Sequence, residues 1–255
     1  MANFPANYGL GFTADPMLEM VKGRAKGHIC INKFGENPAN ASATEEDIWD
    51  GGGTYPFPTT ALITSISQTT NQVAMLGATI EVQGLNASWE IVTQDAVLNG
   101  TDTTTVVTLT TPLIRVFRAK VQANVIGDSD IRVHNAAETV DYAVIQAGNN
   151  QTSMAIYTVP AGKTAYMTNY YCDFVEVTNQ DPMSVDFNLF SADKLNNYEF
   201  QLKHEKAITK GAAGFQHFFL PYLVFTERTD IKLTALPADK QAHVHAGFDL
   251  ILVDN

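Results

Sequence analysis

Val244-His245-Ala246-Gly247-Phe248-Asp249-Leu250-Ile251-Leu252 places Val244, Ala246, Phe248, Leu250 and Leu252 on one parity of the chain. Successive side chains of a strand point to opposite faces, so this stretch reads as a strand with one buried face. The same period of two runs upstream. Ile80 and Val82 alternate with Thr79, Glu81 and Gln83, while Val185, Phe187 and Leu189 oppose Asp186 and Asn188. Ile231 and Leu233 oppose Asp230 and Lys232. Such strands recur about every ten residues, with turn signals between them and scarcely a helical period. That spacing predicts an all-β protein of β-sandwich or jelly-roll-like modules.

Working outward, the chain changes character at Glu45-Glu46-Asp47-Ile48-Trp49-Asp50-Gly51-Gly52-Gly53-Thr54-Tyr55-Pro56-Phe57-Pro58. Residues 1–58 read as an extended N-terminal arm ending in this Gly/Pro hinge. Residues 59–150 read as a first β-sandwich module and 151–255 as a second, jelly-roll-like module. Within the arm, Asp15 is a natural N-cap and Pro16 a natural first residue for a short helix ending before Gly23. Gly27–Gly35 alternates weakly and is expected to add a strand to another surface. Further on, Asn99-Gly100 predicts a tight hairpin. The apolar phase slips within Leu113–Val121, which predicts a bulge at Val116 or Phe117.

Composition narrows the function classes. A hydrophobic fraction of 45% and a charged fraction of 17% suit a globular chain with a sizeable core. The formal net charge of −11 argues against nucleic acid as a partner, because phosphates demand Lys and Arg. It argues equally against an anionic membrane surface. Cys30 and Cys172 are too few for a disulfide framework; they read as two buried or inert thiols, with a single disulfide as the alternative. The N-terminus has no charged-then-apolar leader pattern, so synthesis in a cytoplasm is expected.

One constellation carries possible metal chemistry. His243, His245 and Asp249 share a parity on the last strand, which is how a cupin-type site of imidazoles and a carboxylate begins. The plainer reading is that both histidines face solvent or a subunit. Gly9-Leu10-Gly11-Phe12 and Gly51-Gly52-Gly53 are not phosphate loops, and no nucleophile, base and oxyanion donor assemble in order. Trp49 and Trp89 suit a glycan-binding face only if exposed; a core or hinge role is the alternative. The expectation is a non-enzymatic structural or binding protein without a cofactor.

Several stretches, taken in order, resemble a family of virion structural proteins of tailed bacteriophages, notably marine ones. They are Lys33-Phe34-Gly35-Glu36-Asn37-Pro38, the joint from Glu46 to Pro58, Val82-Gln83-Gly84-Leu85-Asn86, Val97-Leu98-Asn99-Gly100-Thr101 and Arg115-Val116-Phe117-Arg118-Ala119. Met154 to Thr164 and Ala246 to Asn255 complete the likeness, which runs from about residue 27 to the end. The resemblance implies a particle component, foremost a head decoration or cement protein bound to the major capsid protein on the capsid surface. A neck, tail or fibre-base protein is the alternative. Such a role implies a homo-oligomer, with a trimer favoured and a dimer as the second choice. Phe34, Ile48, Trp49, Tyr55, Phe57, Phe215, Phe218 and Phe219 are then the expected interface residues. On this reading Trp49 serves assembly more than folding.

Overall fold

The computed structural model describes residues 15–122, 125–175 and 182–255. A short helix α1 (Pro16–Val21) begins at Asp15, whose carboxylate accepts from the backbone N–H of Met17 at 2.9 Å and of Leu18 at 3.3 Å. Strands follow in the order β1 (His28–Asn40), β2 (Glu46–Asp47), β3 (Ile63–Gln68), β4 (Thr79–Leu85), β5 (Ile91–Val97) and β6 (Val107–Leu113). Next come β7 (Arg115–Val121), β8 (Ile131–His134), β9 (Asp141–Ile145), β10 (Ile156–Thr158) and β11 (Lys163–Val175). The chain ends with β12 (Ser184–Ala192), β13 (Phe200–Thr209), β14 (Phe215–Phe225), β15 (Asp230–Pro237) and β16 (Ala242–Asp254). The architecture is all-β, as the period of two demanded.

Two sheets, β1-β16-β11-β14 and β10-β15-β12-β13, face each other, with β2 added beside β15. Numbered only within this module, their orders are 1-8-3-6 and 2-7-4-5. Each antiparallel pair β1·β16, β10·β15, β11·β14 and β12·β13 is one rung of a single long hairpin folded over on itself. That is an eight-stranded jelly roll. Its core is filled by the predicted faces: Val244, Phe248, Val185, Phe187, Leu189, Ile231 and Leu233 are each 0% exposed.

Strands β3 to β9 form an insert between the jelly roll's first strand β1 and its second, β10. The insert packs a four-stranded sheet, β6-β3-β8-β9, on a three-stranded one, β5-β4-β7. Ile63, Ile66, Ile80, Val82, Leu113 and Val133 fill the space between them. The bulge expected near Val116 or Phe117 is present: Gln83 pairs with Arg118 and Gly84 with Val116, leaving Phe117 as the extra residue. The tight hairpin at Asn99-Gly100 is not. β5 and β6 lie in different sheets, and the Asn99 side chain instead accepts from Thr101 N at 2.9 Å and Asp102 N at 3.1 Å. A side-chain-capped turn replaces the backbone turn.

The largest difference from the sequence reading concerns residues 1–58. Residues 1–14 lie outside the described residues, but β1 and β2 are built into the jelly-roll sheets. β1 pairs with β16 from His28↔Val253 to Asn40↔Ala242, so His28–Asn40 is the edge strand that completes the roll. Its alternation is weak because the inward residues are Lys33, Gly35 and Asn37, which carry no apolar signal. Gly35 is required there, since a Cβ would lie 2.2 Å from Ala155 N. Asn37 Nδ2 donates to Glu46 Oε2 at 2.7 Å, and the Lys33 ammonium donates to the Phe117 carbonyl of the insert.

Insert and jelly roll are pinned together by Arg115 of β7 and Asp230 of β15. Nε donates to Oδ1 at 2.8 Å and Nη2 to Oδ2 at 2.7 Å, with both side chains 6% exposed. Nη1 donates to the carbonyls of Ile114 and Pro58. The guanidinium carbon lies 5.2 Å from the Phe57 ring centre and 5.1 Å from that of Trp89. A bidentate buried pair with its remaining donors satisfied is the geometry in which removing one partner is most costly.

Two measurements test these assignments. Arg115→Ala is expected to lose about 3–5 kcal/mol in urea unfolding, because Asp230 is left charged and buried. Burial, helped by the Arg118 charge, pushes Lys33 down to about 7 from 10.5. Between those values the unfolded chain holds more protons than the folded one, so the contribution of Lys33 to stability rises with pH. The unfolding free energy of the parent relative to Lys33→Met is therefore expected to shift in the parent's favour from pH 7 to pH 10.

Candidate functional site

Alternation along β16 sends Val244 and Ala246 into the core and turns His243 and His245 to the outer face of the β1-β16-β11-β14 sheet. There the register puts Glu36 of β1 opposite His245, and Asp173 of β11 opposite it on the other side. His243 Nε2 lies 3.2 Å from Glu36 Oε2, and His245 Nε2 lies 3.6 Å from the same oxygen. His245 Nδ1 is 3.0 Å from Asp173 Oδ1. The two imidazole centres are 4.4 Å apart. Hydrogen bonding to His245, and then to His243, holds the Glu36 carboxyl below its ordinary value. The same contact with Glu36 raises His245. Asp50 is 7% exposed and pushed up to about 8, chiefly by burial and against the hydrogen bond from Ser153 N–H; the nearby Glu36 charge adds to the rise.

The expected trio of His243, His245 and Asp249 does not assemble. Asp249 shares the face, but four residues along a strand from His245 is about 13 Å. Its oxygens instead accept from Asn32 Nδ2 at 2.6 Å and Asn169 Nδ2 at 2.9 Å. A cupin-type arrangement also needs histidines pointing into the roll, which here is filled with side chains. Glu36, the carboxylate that does join the histidines, is 207 residues from His243. Only the β1–β16 register reveals it.

A second feature is the edge strand β14, hydrogen-bonded to β11 alone among the described strands. Between Phe218↔Asn169 and Leu223↔Met167 the ladder opens, so residues 219–222 stand opposite a single residue. The loop bulges outward. Phe218 is 66% exposed, Leu220 94%, Tyr222 48% and Val224 53%. Phe215 and Phe219 are half-buried against the core instead, beside Tyr170, His204 and His217. The His204 ring stacks 4.3 Å from His217 and meets the Tyr170 hydroxyl at 2.8 Å. Burial first and His217 second push His204 down.

The joint from Glu45 to Pro58 is not a surface device. Ile48 is 0% exposed, Trp49 4% and Tyr55 2%, so these three of the expected interface residues are core residues. Trp49 packs edge-on to Tyr55 at 5.2 Å, Tyr55 on Phe57 at 4.8 Å, and Trp49 Nε1 donates to Gly53 O. Gly52 and Gly53 take positive φ of 64° and 63° to turn the chain from β2 into the insert. Phe57 is half-buried over Arg115, and Phe34 half-buried beside Arg118. A cleft of about 270 Å³ is lined by Asp47 and Lys232, which form an ion pair at 2.7 Å. Cys30 and Cys172 are unpaired, and burial pushes the Cys172 thiol up to about 12.

No protein-family model, curated protein or solved structure matches this chain. No helix among the described residues is long and apolar enough to cross a membrane.

Trp49→Ala is expected to cost about 3–5 kcal/mol of stability, as emptying a core site does. A melting temperature unchanged from the parent would return Trp49 to the interface role.

Proposed function

We propose that this chain is a structural protein of a tailed-bacteriophage virion, a decoration protein that binds and stabilises the major capsid shell as a homo-oligomer, with a trimer as the first choice. The observation that carries this reading is the apolar bulge of β14. Phe218, Leu220, Tyr222 and Val224 leave water only if another surface covers them. An edge strand also offers unpaired backbone donors and acceptors to a neighbour. Three further features are in keeping with it. A net charge of −11 keeps a protein made in many copies soluble before assembly. A jelly roll is an architecture that capsid proteins use, although lectins and cupins use it too. The family resemblance of the sequence points the same way.

On this reading no residue is catalytic, and the partner surfaces are a second copy of the chain at β14 and the capsid lattice elsewhere. Cryo-electron microscopy of purified particles, with the copy number measured, tests it. Hundreds of copies on the shell are expected. Around a dozen or fewer, with density at the neck, tail or fibre base, would replace the head assignment with the tail one. Absence from particles would overturn the virion reading altogether.

Leu220→Glu is expected to reduce self-association at least tenfold in analytical ultracentrifugation while leaving the melting temperature of the subunit within a few degrees. A monomeric parent would remove β14 as the oligomer face.

A further inference from the structure

We propose that Glu36, His243 and His245 form a binding site for one divalent transition-metal ion of the zinc class, clamping β1 to β16 on the outer face of the jelly roll. The three ligand atoms, Glu36 Oε2 and the two histidine nitrogens, all lie within 4.8 Å of one another. Zinc bonds of about 2.0–2.1 Å at tetrahedral angles hold donor atoms about 3.3 Å apart. The 3.2 and 3.6 Å separations from Glu36 Oε2 to the two Nε2 atoms are already close to that spacing.

The surroundings match what a metal-bound imidazole needs. A ligating histidine presents one nitrogen to the metal and donates its other N–H to a carboxylate, which fixes tautomer and ring orientation. His245 turns Nε2 toward Glu36 while Nδ1 is 3.0 Å from Asp173 Oδ1. Asp173 is therefore the orienting residue, and Glu36 and Asp173 place carboxylates beside the cation. Two imidazoles and one carboxylate favour zinc, nickel or cobalt over magnesium or calcium, which prefer an all-oxygen shell. Side-chain exposures of 21% for Glu36, 30% for His243 and 37% for His245 leave room for water to complete the coordination. The site depends on no assignment to a virion, and it differs from a cupin-type centre by facing outward.

The mechanical consequence is specific. Among the described strands of its sheet, β1 is an edge strand held by β16 alone. A metal bonded to residues of both strands binds the folded protein and not the unfolded one, so it raises stability by mass action.

The test is calorimetric titration of zinc chloride into tag-free, chelator-treated protein near pH 7.5, alongside thermal melts with and without zinc. One ion per chain and a higher melting temperature with zinc are expected. His243→Gln, His245→Gln and Glu36→Gln are each expected to weaken binding at least a hundredfold and to abolish the zinc-dependent melting shift. Their metal-free melts report whether each variant is folded. Asp173→Asn is expected to weaken zinc about 10–100-fold, the usual effect of losing such a partner. Asp249→Asn, outside the cluster, is expected to bind as the parent does. No zinc binding by the folded parent, or parent-like binding by folded His245→Gln, overturns the proposal. Equal weakening by Asp249→Asn overturns it too.

Discussion

The jelly roll exists only if His28–Asn40 lies against Ala242–Asp254. Strand β16 occupies the second position of its sheet and needs a neighbour on each side, β11 and β1. Without β1 its outer row of backbone groups faces water, and the core loses the lid that Lys33, Gly35 and Asn37 provide. The close approach at Gly35 shows how little slack the pairing has, because the backbone of residues 154 and 155 and of Ile48 touches the strand where a side chain would sit. That contact also ties β1 to the point where the chain enters and leaves the insert. Closing the roll and seating the insert are therefore one event.

The Arg115–Asp230 pair works at the same junction from the other side. A charged pair inside a protein gives up hydration that its mutual attraction must offset, so its merit lies in geometry more than in raw stability. Here the guanidinium lies against two aromatic rings, and its donors meet carbonyls from the joint and from Ile114, just before β7. A slip of β7 by one residue would leave a buried carboxylate unmatched. Bulging at Phe117, two residues on, lets the strand meet this constraint and still direct Ala119 and Val121 into the insert's core.

How much of this was legible depended on whether a residue's role is local. Burial of Val244, Ala246, Phe248, Leu250 and Leu252 was readable because alternation is a property of adjacent residues. The bulge at Phe117 was readable for the same reason, as a break in phase. A strand added to another surface was readable at Gly27–Gly35, but not its length or its place in the roll, because the inward positions of β1 are Lys, Gly and Asn, whose fitness is set by carbonyls and backbone far away in sequence. Trp49, Tyr55 and Ile48 look identical in sequence whether they anchor a core or an interface. The Glu36–His243–His245 cluster was half visible, as two histidines at one parity, but its carboxylate comes through a register spanning almost the whole chain. Asp249 was the nearest carboxylate in sequence and the wrong one in space.

The weak patterning of β1 has a meaning in time. Synthesis delivers β1 well before its partner β16, so β1 waits unpaired while the strands between them are made. The insert's sheets draw on strands within residues 63–145 and have no need of that partner. A waiting strand rich in Ile, Val and Phe on both faces would recruit neighbouring chains emerging beside it. With Lys33, Glu36, Asn37 and Pro38 in its middle, β1 is a poor template for such pairing. The polar residues that blur the strand's alternation also guard it until β16 is made.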